Sequence, residues 1–474
     1  MKTKTFLLLV VVLGVLVKIP FFHYTVDDTY IHFVFAKNIA TGKGISFIPN
    51  QPSAGTTSPL WIFALALVYL ITGEFYFTAK SLEILFSVLS IPLVYLISQK
   101  LFKEKTVSIV SCILWAISPW HVLWSVTGMD TSLFTFLSLL GIYFSINEKQ
   151  KDVAIGSFLI GLSALTRPEG GFIFLILLFR NFVLWLKRKT GFKDILLLLI
   201  SFLIPVAPWL LYSYYTFGSI VPNSYASIMS FMKFSIQGTF GAGLSGFLFL
   251  IGSFILQIPF VVIGLLLVLK RTDFFSNHFI PILWTISVLG FYLVSGLVFI
   301  RYFIPVFPFI IVYSVFGLVE TCKNLKGAGK TAFIVLILLI LLRDTALGIF
   351  AFNFSGKYQK GLEESYIYIA NWLKGNSSKD AVVAAHDFGA LGFISERKII
   401  DITGLVDREA LPYRENLSEF LEIKRPNYLI IIDEWYKTLL SSFIDKYCSF
   451  NFSKRCSDCL FPSGTFTFSV YSCK

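Results

Sequence analysis

Charged side chains are scarce in this sequence: Asp, Glu, Lys and Arg together make up 14% of its 474 residues. Because soluble globular proteins carry about 25% charged residues, this composition excludes an ordinary soluble enzyme. Hydrophobic residues instead make up 56% of the chain, and 51 residues are Phe. Such a composition is typical of a protein embedded in a membrane.

The motifs of nucleotide and zinc chemistry are also missing. The chain has no Walker-type phosphate loop, no glycine fingerprint for dinucleotides and no His-Glu-x-x-His motif, so nucleotide-sugar chemistry is unsupported. The net charge of +12 does not indicate a nucleic-acid partner. Residues 350–474 hold 15 Lys and Arg against 15 Asp and Glu, whereas the first 349 residues hold 25 against 13. The excess therefore belongs to the hydrophobic part.

Cysteine is rare, with six in the chain. Cys112 and Cys322 lie in or beside apolar segments and are predicted to be buried as small hydrophobic side chains. The remaining four cysteines are Cys448, Cys456, Cys459 and Cys473. In an oxidising compartment they could form two disulfides. The Cys456-Ser-Asp-Cys459 spacing also fits half of a metal site or a redox pair. The lack of a nearby His and an exported location favour structural disulfides.

Apolar segments recur through the first 349 residues, and a bilayer crossing takes about 20 residues per helix. We predict eleven spans, near residues 5–22, 77–99, 106–124, 131–146, 153–166, 171–186, 194–215, 244–269, 279–299, 302–320 and 331–349. The first has no small-residue cleavage site at Val17–Pro20 and is predicted to be a retained anchor.

Lys and Arg in the connecting loops predict the orientation. With a cytoplasmic N-terminus, sixteen of them lie in cytoplasmic loops and six in outer loops: Lys37, Lys43, Lys80, Arg167, Lys233 and Arg301. Eleven crossings then place the C-terminal residues on the exoplasmic side. The apolar segment 59–73 is short, and a crossing there would reverse the charge bias. It is predicted to be a juxtamembrane helix.

The predicted fold is a polytopic α-helical membrane domain at 1–349, followed by a small exoplasmic α/β domain at 350–474. In the second domain, strand-like stretches at 381–385, 398–402, 428–432 and 465–471 alternate with helical ones at 361–374, 415–424 and 435–446. Its candidates for contact with an acceptor glycan are Asp387, Asp401, Asp407 and Arg408, although turn and cap roles are favoured for each.

Polar residues of the membrane domain gather in its predicted outer loops, where charged groups tend to mark function. Asp27 and Asp28 open a predicted juxtamembrane helix at 28–41, on which His32 lies one turn after Asp28. Helix capping explains one of the acids. It explains the second poorly, because adjacent carboxylates repel each other. Catalysis and capping both stay open, and the two roles are compatible.

Three further clusters lie on the same predicted side. Asp130 is either a site residue or the N-cap of the next helix. Arg167 and Glu169 occupy a tight connection between two spans, either as site residues or as a pair that only ties the loop. Arg301 is a site residue or an interfacial side chain. A carboxylate base together with cations that hold an anionic leaving group suits transfer of a sugar from a lipid phosphate.

The order of these motifs resembles that of C-type (GT-C) membrane glycosyltransferases, most closely the branch of the cell-wall arabinofuranosyltransferases. The resemblance rests on Asp27-Asp28-Thr29-Tyr30, Asn38 to Gly44, Thr57 to Trp61, Thr127 to Thr131, Leu165 to Gly170, Gly218 to Tyr225 and Arg301-Tyr302-Phe303, with Asp387 to Gly392 and Ile400 to Asp407 in the C-terminal domain. Each motif alone is weak, whereas their shared order is specific for the superfamily and less so for the sugar.

The resemblance implies an inverting transferase that moves a sugar from a polyprenyl-phosphate donor to an acceptor hydroxyl of a glycan, lipid or protein, in envelope assembly. Asp27 matches the first acid of the family's acidic motif and is the implied general base, with Asp28 as its neighbour. Arg167 and Arg301, with Lys37 in reserve, are candidates to hold the lipid phosphate. The predicted substrate-binding residues are His32, Lys37, Asp130, Arg167, Glu169, Tyr225 and Arg301. Met129 before Asp130 departs from the family pattern.

No cofactor is predicted to be required, although a divalent metal could assist through the acid pair. A transporter or flippase of a lipid-linked sugar is the alternative class, and such proteins use broken helices and internal repeats around a midplane site. The sequence shows no repeat and gathers its polar groups at one face, which favours an enzyme. A non-catalytic envelope scaffold would leave the paired acids and Arg167 unexplained.

Overall fold

The computed structural model describes residues 2–146, 149–227, 236–325, 327–457 and 464–474, without the side chains of 236–243 and of 457. Lys233 and Lys326, which contribute to the predicted charge bias, and Cys459 lie outside the described residues. The helices of the membrane half are α1 (Thr3–Leu16), α2 (Asp27–Ala40), α3 (Pro59–Thr72), α4 (Tyr76–Phe102), α5 (Lys105–Ile117), α6 (Pro119–Leu123), α7 (Thr131–Ser145), α8 (Gln150–Thr166), α9 (Gly170–Leu186), α10 (Phe192–Phe217), α11 (Ile236–Ser253), α12 (Ile258–Leu269), α13 (Phe279–Ser295), α14 (Ile300–Phe303), α15 (Phe307–Lys323) and α16 (Gly329–Leu362).

The protein is a multi-pass membrane protein, but the number of crossings is not fixed by helix length. Six described helices are long and apolar enough to cross a membrane, or seven if the pair Leu244–Ser253 and Ile258–Leu269, bent by 87°, is one span. Each predicted span coincides with a helix or a helix pair. Several are short: α7 has 15 residues, which gives about 22 Å against a bilayer core of about 30 Å. The count of eleven stays a prediction.

Glycines let helices of the membrane half approach closely. A Cβ atom on Gly317 of α15 would lie 2.0 Å from the carbonyl oxygen of Phe260 in α12. One on Gly246 of α11 would lie 2.6 Å from Cβ of Val298. Small residues bring helix backbones into van der Waals contact in membranes. The first contact packs α12 against α15, and the second packs α11 against Val298.

The two helices predicted beside the membrane are present as α2 and α3. Neither Asp27 nor Asp28 caps α2, because Val26 is its N-cap residue and no side chain caps it. The capping hypothesis for the start of this helix is therefore wrong. Asp130 is the N-cap residue of α7, but its side chain makes no capping hydrogen bond.

The C-terminal part forms a small α/β domain around one sheet, as predicted. Its elements are α17 (Tyr368–Asn376), β1 (Val382–Ala385), α18 (Gly389–Ser395), β2 (Lys398–Asp401), α19 (Leu417–Lys424), β3 (Tyr428–Ile432), α20 (Ser441–Tyr447), β4 (Cys448–Ser457) and β5 (Thr465–Cys473). The strand order is β2-β1-β3-β5-β4. Strands β1, β2 and β3 pair in parallel, and β5 pairs antiparallel to β3 and β4.

Two elements of this domain were not predicted. Strand β4 lies at the edge of the sheet and is rich in polar residues, so it lacks the apolar run of the other strands. Helix α18 is only seven residues long. The predicted domain boundary after residue 349 lies inside α16, which continues to Leu362.

The cysteine predictions agree with the described residues. Cys448 and Cys473 form a disulfide that joins the ends of β4 and β5. Cys112 and Cys322 are free and buried.

Candidate active site

A cavity of about 900 Å³ lies where loops of the membrane half meet one loop of the C-terminal domain. Its walls come from α2, from the loops that precede α3, α7 and α9, from residues 221–226, from α13 and Arg301-Tyr302, and from Leu405 and Val406. Seven of the nine predicted site residues line it: Asp28, His32, Asp130, Arg167, Glu169, Tyr225 and Arg301. The folded chain therefore brings together clusters that are up to 273 residues apart in the sequence.

Asp28 and Arg301 form an ion pair at the wall of this cavity. Oδ2 of Asp28 lies 2.7 Å from Nη2 of Arg301, and the Asp28 side chain is 43% exposed. Ile31 and His32 follow one turn later on the same face of α2 and also line the cavity. Asp28 is thus an accessible carboxylate beside a largely buried cation.

Arg167 holds the other two acids of the cavity. Its Nη1 lies 3.4 Å from Oδ1 of Asp130, and its Nη2 lies 3.3 Å from Oε1 of Glu169. Asp130 also accepts a hydrogen bond from the Ser58 hydroxyl, and Glu169 accepts one from Tyr292. Buried charges are tolerated when they are paired and hydrogen-bonded in this way. Arg167 therefore ties its loop and also shapes the cavity wall.

Tyr302 brings the two arginines together. The Arg167 guanidinium carbon lies 4.8 Å from the centre of the Tyr302 ring, and that of Arg301 lies 5.1 Å from it. The same ring stacks on Tyr292 with 4.6 Å between the centroids. Cation–π contacts fix both guanidinium groups against one aromatic surface.

Four buried polar atoms of cavity residues have no hydrogen-bond partner among the described residues: His32 Nδ1, Glu169 Oε2, Ser224 Oγ and Arg301 Nε. Buried polar atoms in folded proteins are mostly paired, so this group indicates a polar ligand. Burial lowers the pKa of His32 below its ordinary value of 6.5, which disfavours the charged imidazolium form.

Asp27 is not among the residues that line the cavity. Its two carboxylate oxygens accept the backbone N–H groups of Gly389, at 2.9 Å, and Ala390, at 2.8 Å. Burial, together with the nearby carboxylate of Asp387, raises the pKa of Asp27 to about 7. The predicted base is thus bound to the C-terminal domain, because a turn of 100° per residue points neighbouring side chains of α2 in different directions.

Lys37 is also outside the cavity. Its Nζ lies 2.7 Å from Oε1 of Glu396 at the end of α18, and both side chains are partly exposed. The prediction of Lys37 as a reserve phosphate ligand is not supported by this position.

Two residues that position the cavity were missed in the sequence. The buried Glu83 accepts the N–H of Gly128 at 2.6 Å and the hydroxyl of Thr127 at 3.2 Å, and so fixes the loop before Asp130. Gly128 has φ of +86°, a conformation that favours glycine. A lone Glu inside an apolar span was the available signal for Glu83. Ser58 orients Asp130 through a hydrogen bond. Its position before Pro59 was the only sequence signal for this role.

The polar candidates of the C-terminal domain have structural roles. The Asp401 carboxylate accepts the N–H groups of Thr403, Gly404 and Val406 and so shapes a loop. Asp407 caps the following turn at Glu409. The turn and cap roles favoured from the sequence are therefore observed for these two acids.

Arg408 crosses to the membrane half, where its Nε donates to Oδ1 of Asn223 at 2.6 Å. Asp387 accepts a hydrogen bond from Tyr366 and lies near Asp27. The residues of this domain that line the cavity are instead the apolar Leu405 and Val406.

Within the described ranges, no group of three or more His, Cys, Asp or Glu side chains is arranged to hold a metal ion. The expectation that a metal is not required, although one could assist through the acid pair, stays a prediction.

Two family models match parts of the chain. Residues 56–212 match the family described as dolichyl-phosphate-mannose-protein mannosyltransferase. Residues 354–471 match a domain of unknown function, DUF8728. No curated protein matches the sequence significantly.

Two solved structures share the fold over almost the whole chain. ArnT from Cupriavidus metallidurans, bound to undecaprenyl phosphate, aligns with a TM-score of 0.62 and 11% identity, covering 99% of this chain and 98% of that one. The archaeal oligosaccharyltransferase AglB from Archaeoglobus fulgidus, with an inhibitory peptide and a dolichol-phosphate, aligns with a TM-score of 0.61 and 15% identity, covering 98% and 75%. At these identities the likeness concerns the fold.

The chain thus has the fold of these solved structures, and part of its membrane half matches a mannosyltransferase family. The chain shares the GT-C fold of these structures, which its motif order predicted. The more specific resemblance to the arabinofuranosyltransferase branch is not confirmed.

Proposed function

We propose that the protein transfers a sugar from a polyprenyl-phosphate donor to an acceptor hydroxyl, with inversion, at the exoplasmic face of the membrane. The observation that carries this proposal is the ion pair of Asp28 and Arg301 at the wall of a cavity that also contains Arg167. A carboxylate base and cations that can hold a phosphate lie side by side there, which is what the reaction needs.

Donor binding changes the partner of Arg301 in this mechanism. Guanidinium groups bind phosphate oxygens well, and the donor phosphate displaces Asp28 from Arg301. The released Asp28 carboxylate then accepts the proton of the acceptor hydroxyl while the hydroxyl oxygen bonds to the anomeric carbon. The bond from that carbon to the phosphate oxygen breaks, and polyprenyl phosphate leaves with its charge held by Arg301 and Arg167. One carboxylate base is sufficient, unlike the pair used by most glycoside hydrolases.

An apolar groove of about 320 Å³ supports a lipid donor. It lies among α11, α12, α13 and α15, and Thr285 and Tyr313 are the polar residues in its lining. Ile282 to Leu289 of α13 contribute to the groove, and the next turns, from Gly290 to Ser295, contribute to the cavity. A prenyl chain in the groove would therefore place its phosphate at the arginines. The neighbouring structures bound to undecaprenyl phosphate and dolichol-phosphate support this assignment.

The acceptor then approaches from the side of the C-terminal domain. Leu405 and Val406 form an apolar part of the cavity wall there. Their loop is fastened to the membrane half, since Asn223 Nδ2 donates to the Val406 carbonyl at 3.1 Å. In this proposal the domains at 1–349 and 350–474 share one catalytic cavity, and both acceptor and donor are bound on the exoplasmic side.

The experiment uses purified protein in liposomes with radiolabelled donors. Polyprenyl-phosphate mannose tests the sugar named by the family match, and polyprenyl-phosphate arabinofuranose tests the one implied by the motifs. Release of polyprenyl phosphate with transfer of label to envelope glycan or glycolipid is the expected result, and it is expected to disappear in Asp28→Asn. Movement of intact donor between leaflets without release would support a flippase and contradict the proposal.

A further inference from the structure

Helix α2 is held between the cavity and the C-terminal domain. One face of it, with Asp28, Ile31 and His32, lines the cavity. Helix α18 of the C-terminal domain lies along another face and contacts α2 from its first turn to its last.

The contact at the first turn is made by Asp27, which accepts the backbone N–H groups of Gly389 and Ala390. The approach is close: a Cβ atom on Gly389 would lie 2.1 Å from the Asp27 carbonyl oxygen and 2.9 Å from its Oδ2. Only glycine fits at this position without moving Asp27. Two backbone hydrogen bonds therefore hold the Asp27 carboxyl group against the start of α18.

Two further contacts continue the interface. The Phe393 ring lies 5.8 Å from that of Tyr30 and 5.5 Å from that of Phe33, between centroids. At the far end, Lys37 forms its ion pair with Glu396. Positions 27, 30, 33 and 37 recur every three or four residues and therefore share a helix face, so α18 binds α2 as a unit.

The first turn of a helix is its least constrained part, because its N–H groups have no partner within the helix. Asp28 lies in that turn, next to the residue that α18 binds. We propose that the exoplasmic domain fixes the position of Asp28 through Asp27, so that Asp27 is a positioning residue and the domain is part of the catalytic centre. The inference rests on the proposed role of Asp28, and it assigns a task to a domain whose family has no known function.

The test compares two glycine substitutions in the full-length protein. Gly389→Ala introduces the Cβ atom that displaces Asp27. Gly375→Ala in α17 of the same domain is the matched control, because a Cβ there meets no atom within 4 Å. Each variant is measured for hydrogen exchange of peptides covering residues 26–32, and for release of polyprenyl phosphate from the radiolabelled donor that the wild type uses.

For Gly389→Ala we expect exchange in residues 26–32 to rise about tenfold, because the displaced Asp27 loses its two hydrogen bonds to α18. We expect kcat to fall about 10²-fold, the scale of a displacement of roughly 1 Å in a catalytic group, with KM for donor and acceptor unchanged. Gly375→Ala should match the wild type in both measurements.

Substitution of Asp27 itself separates positioning from catalysis. Asp27→Asn retains an oxygen that accepts one of the two N–H groups, and it should restore a large part of the activity and protection that Asp27→Ala loses. If Asp27 were the base, Asp27→Asn would be as inactive as Asp27→Ala even where it kept the protection of residues 26–32, and the inference would be overturned.

The failure of this inference differs from the failure of the proposed function. Unchanged exchange and kcat in Gly389→Ala, with Asp28→Asn inactive, would overturn the positioning role and leave the function standing. Full activity of Asp28→Asn would instead refute the proposed base. Should no donor be turned over by the wild type, the exchange measurement still decides, because unchanged protection of residues 26–32 in Gly389→Ala contradicts the inference.

Discussion

Asp28 and Arg301 are 273 residues apart in the sequence, and their side chains meet at 2.7 Å on the wall of one cavity. The pair joins the first turn of α2 to α14, at the start of a long apolar helical segment. Each partner has a task in the proposed reaction, and the pair must separate for the reaction to proceed. Its two members can therefore be tested separately.

Replacement of the proposed base should slow turnover strongly without weakening donor binding. Asp28→Asn keeps the size of the side chain but removes the proton acceptor, so kcat should fall by about 10²–10⁴-fold. Donor affinity should be equal or higher, because Arg301 no longer has a competing carboxylate. Single-turnover kinetics with equilibrium binding of the lipid donor would measure both effects. Normal kcat in this variant would exclude Asp28 as the base.

Replacement of Arg301 should act mainly on the donor. Hydrogen bonds to charged groups contribute about 1.5–3 kcal/mol, so Arg301→Ala should weaken donor binding roughly tenfold or more. Arg301→Lys keeps the charge but loses the two-pronged geometry, and it should recover part of the loss. Titration with undecaprenyl phosphate as a product analogue is the measurement, and a wild-type affinity in both variants would show that Arg301 does not hold the donor phosphate.

The wall formed by the C-terminal domain should affect the acceptor. Leu405→Ala enlarges the cavity where the acceptor is proposed to lie, so KM for the acceptor should rise and KM for the donor should not. Leu439→Ala provides a control, since Leu439 is an exposed leucine of the same domain. A change in donor KM alone would place the donor, not the acceptor, against Leu405.

The pH dependence of stability should report Asp27. Its pKa rises from an ordinary 3.8 to about 7 in the folded protein because of burial and of Asp387. The folded state therefore binds this proton more tightly than the unfolded state does. The resulting contribution to the free energy of unfolding is fully present below pH 3.8 and is lost as the pH rises through about 7. The fall in Tm between pH 5 and pH 8 should therefore be smaller in Asp27→Asn than in the wild type.

The neighbouring Asp387 carboxylate titrates in the opposite direction and is therefore kept both in the wild type and in Asp27→Asn. Against the effect of burial, His386 and Tyr366 lower the pKa of Asp387, so its contribution to stability grows with pH. Asp28 also lies close to Asp27 and is left unchanged. The same slope of Tm with pH in the wild type and in Asp27→Asn would contradict the assignment.

The predicted orientation can be tested by labelling in intact cells. A cysteine at Ser378, exposed at the end of α17, should react with an impermeant maleimide. One at Lys189, exposed in the loop between α9 and α10, should react only after permeabilisation. The reverse pattern would invert the topology and place the cavity on the cytoplasmic side.

The sequence determined the class of this protein and the inventory of its site. Apolar segments fix where helices form in a bilayer, because each unpaired backbone group there costs several kcal/mol. Charged residues are rare enough in such a chain that those in its loops could be identified as candidates. Seven of nine proved to line one cavity. The parallel strands were visible as short apolar stretches, whereas the polar edge strand β4 was not.

Only the tertiary structure distinguished Asp27 from Asp28. Neighbouring residues of a helix point about 100° apart, and no local pattern states which direction will face a cavity. That choice depended on α18, whose backbone amides bind Asp27, and on Arg301, which pairs with Asp28. The tertiary structure likewise decided that Lys37 pairs with Glu396. It also decided that Leu405 and Val406 form part of the cavity wall. Contacts between residues hundreds of positions apart follow from how helices and domains pack, and the sequence pattern records only which residues are available to make them.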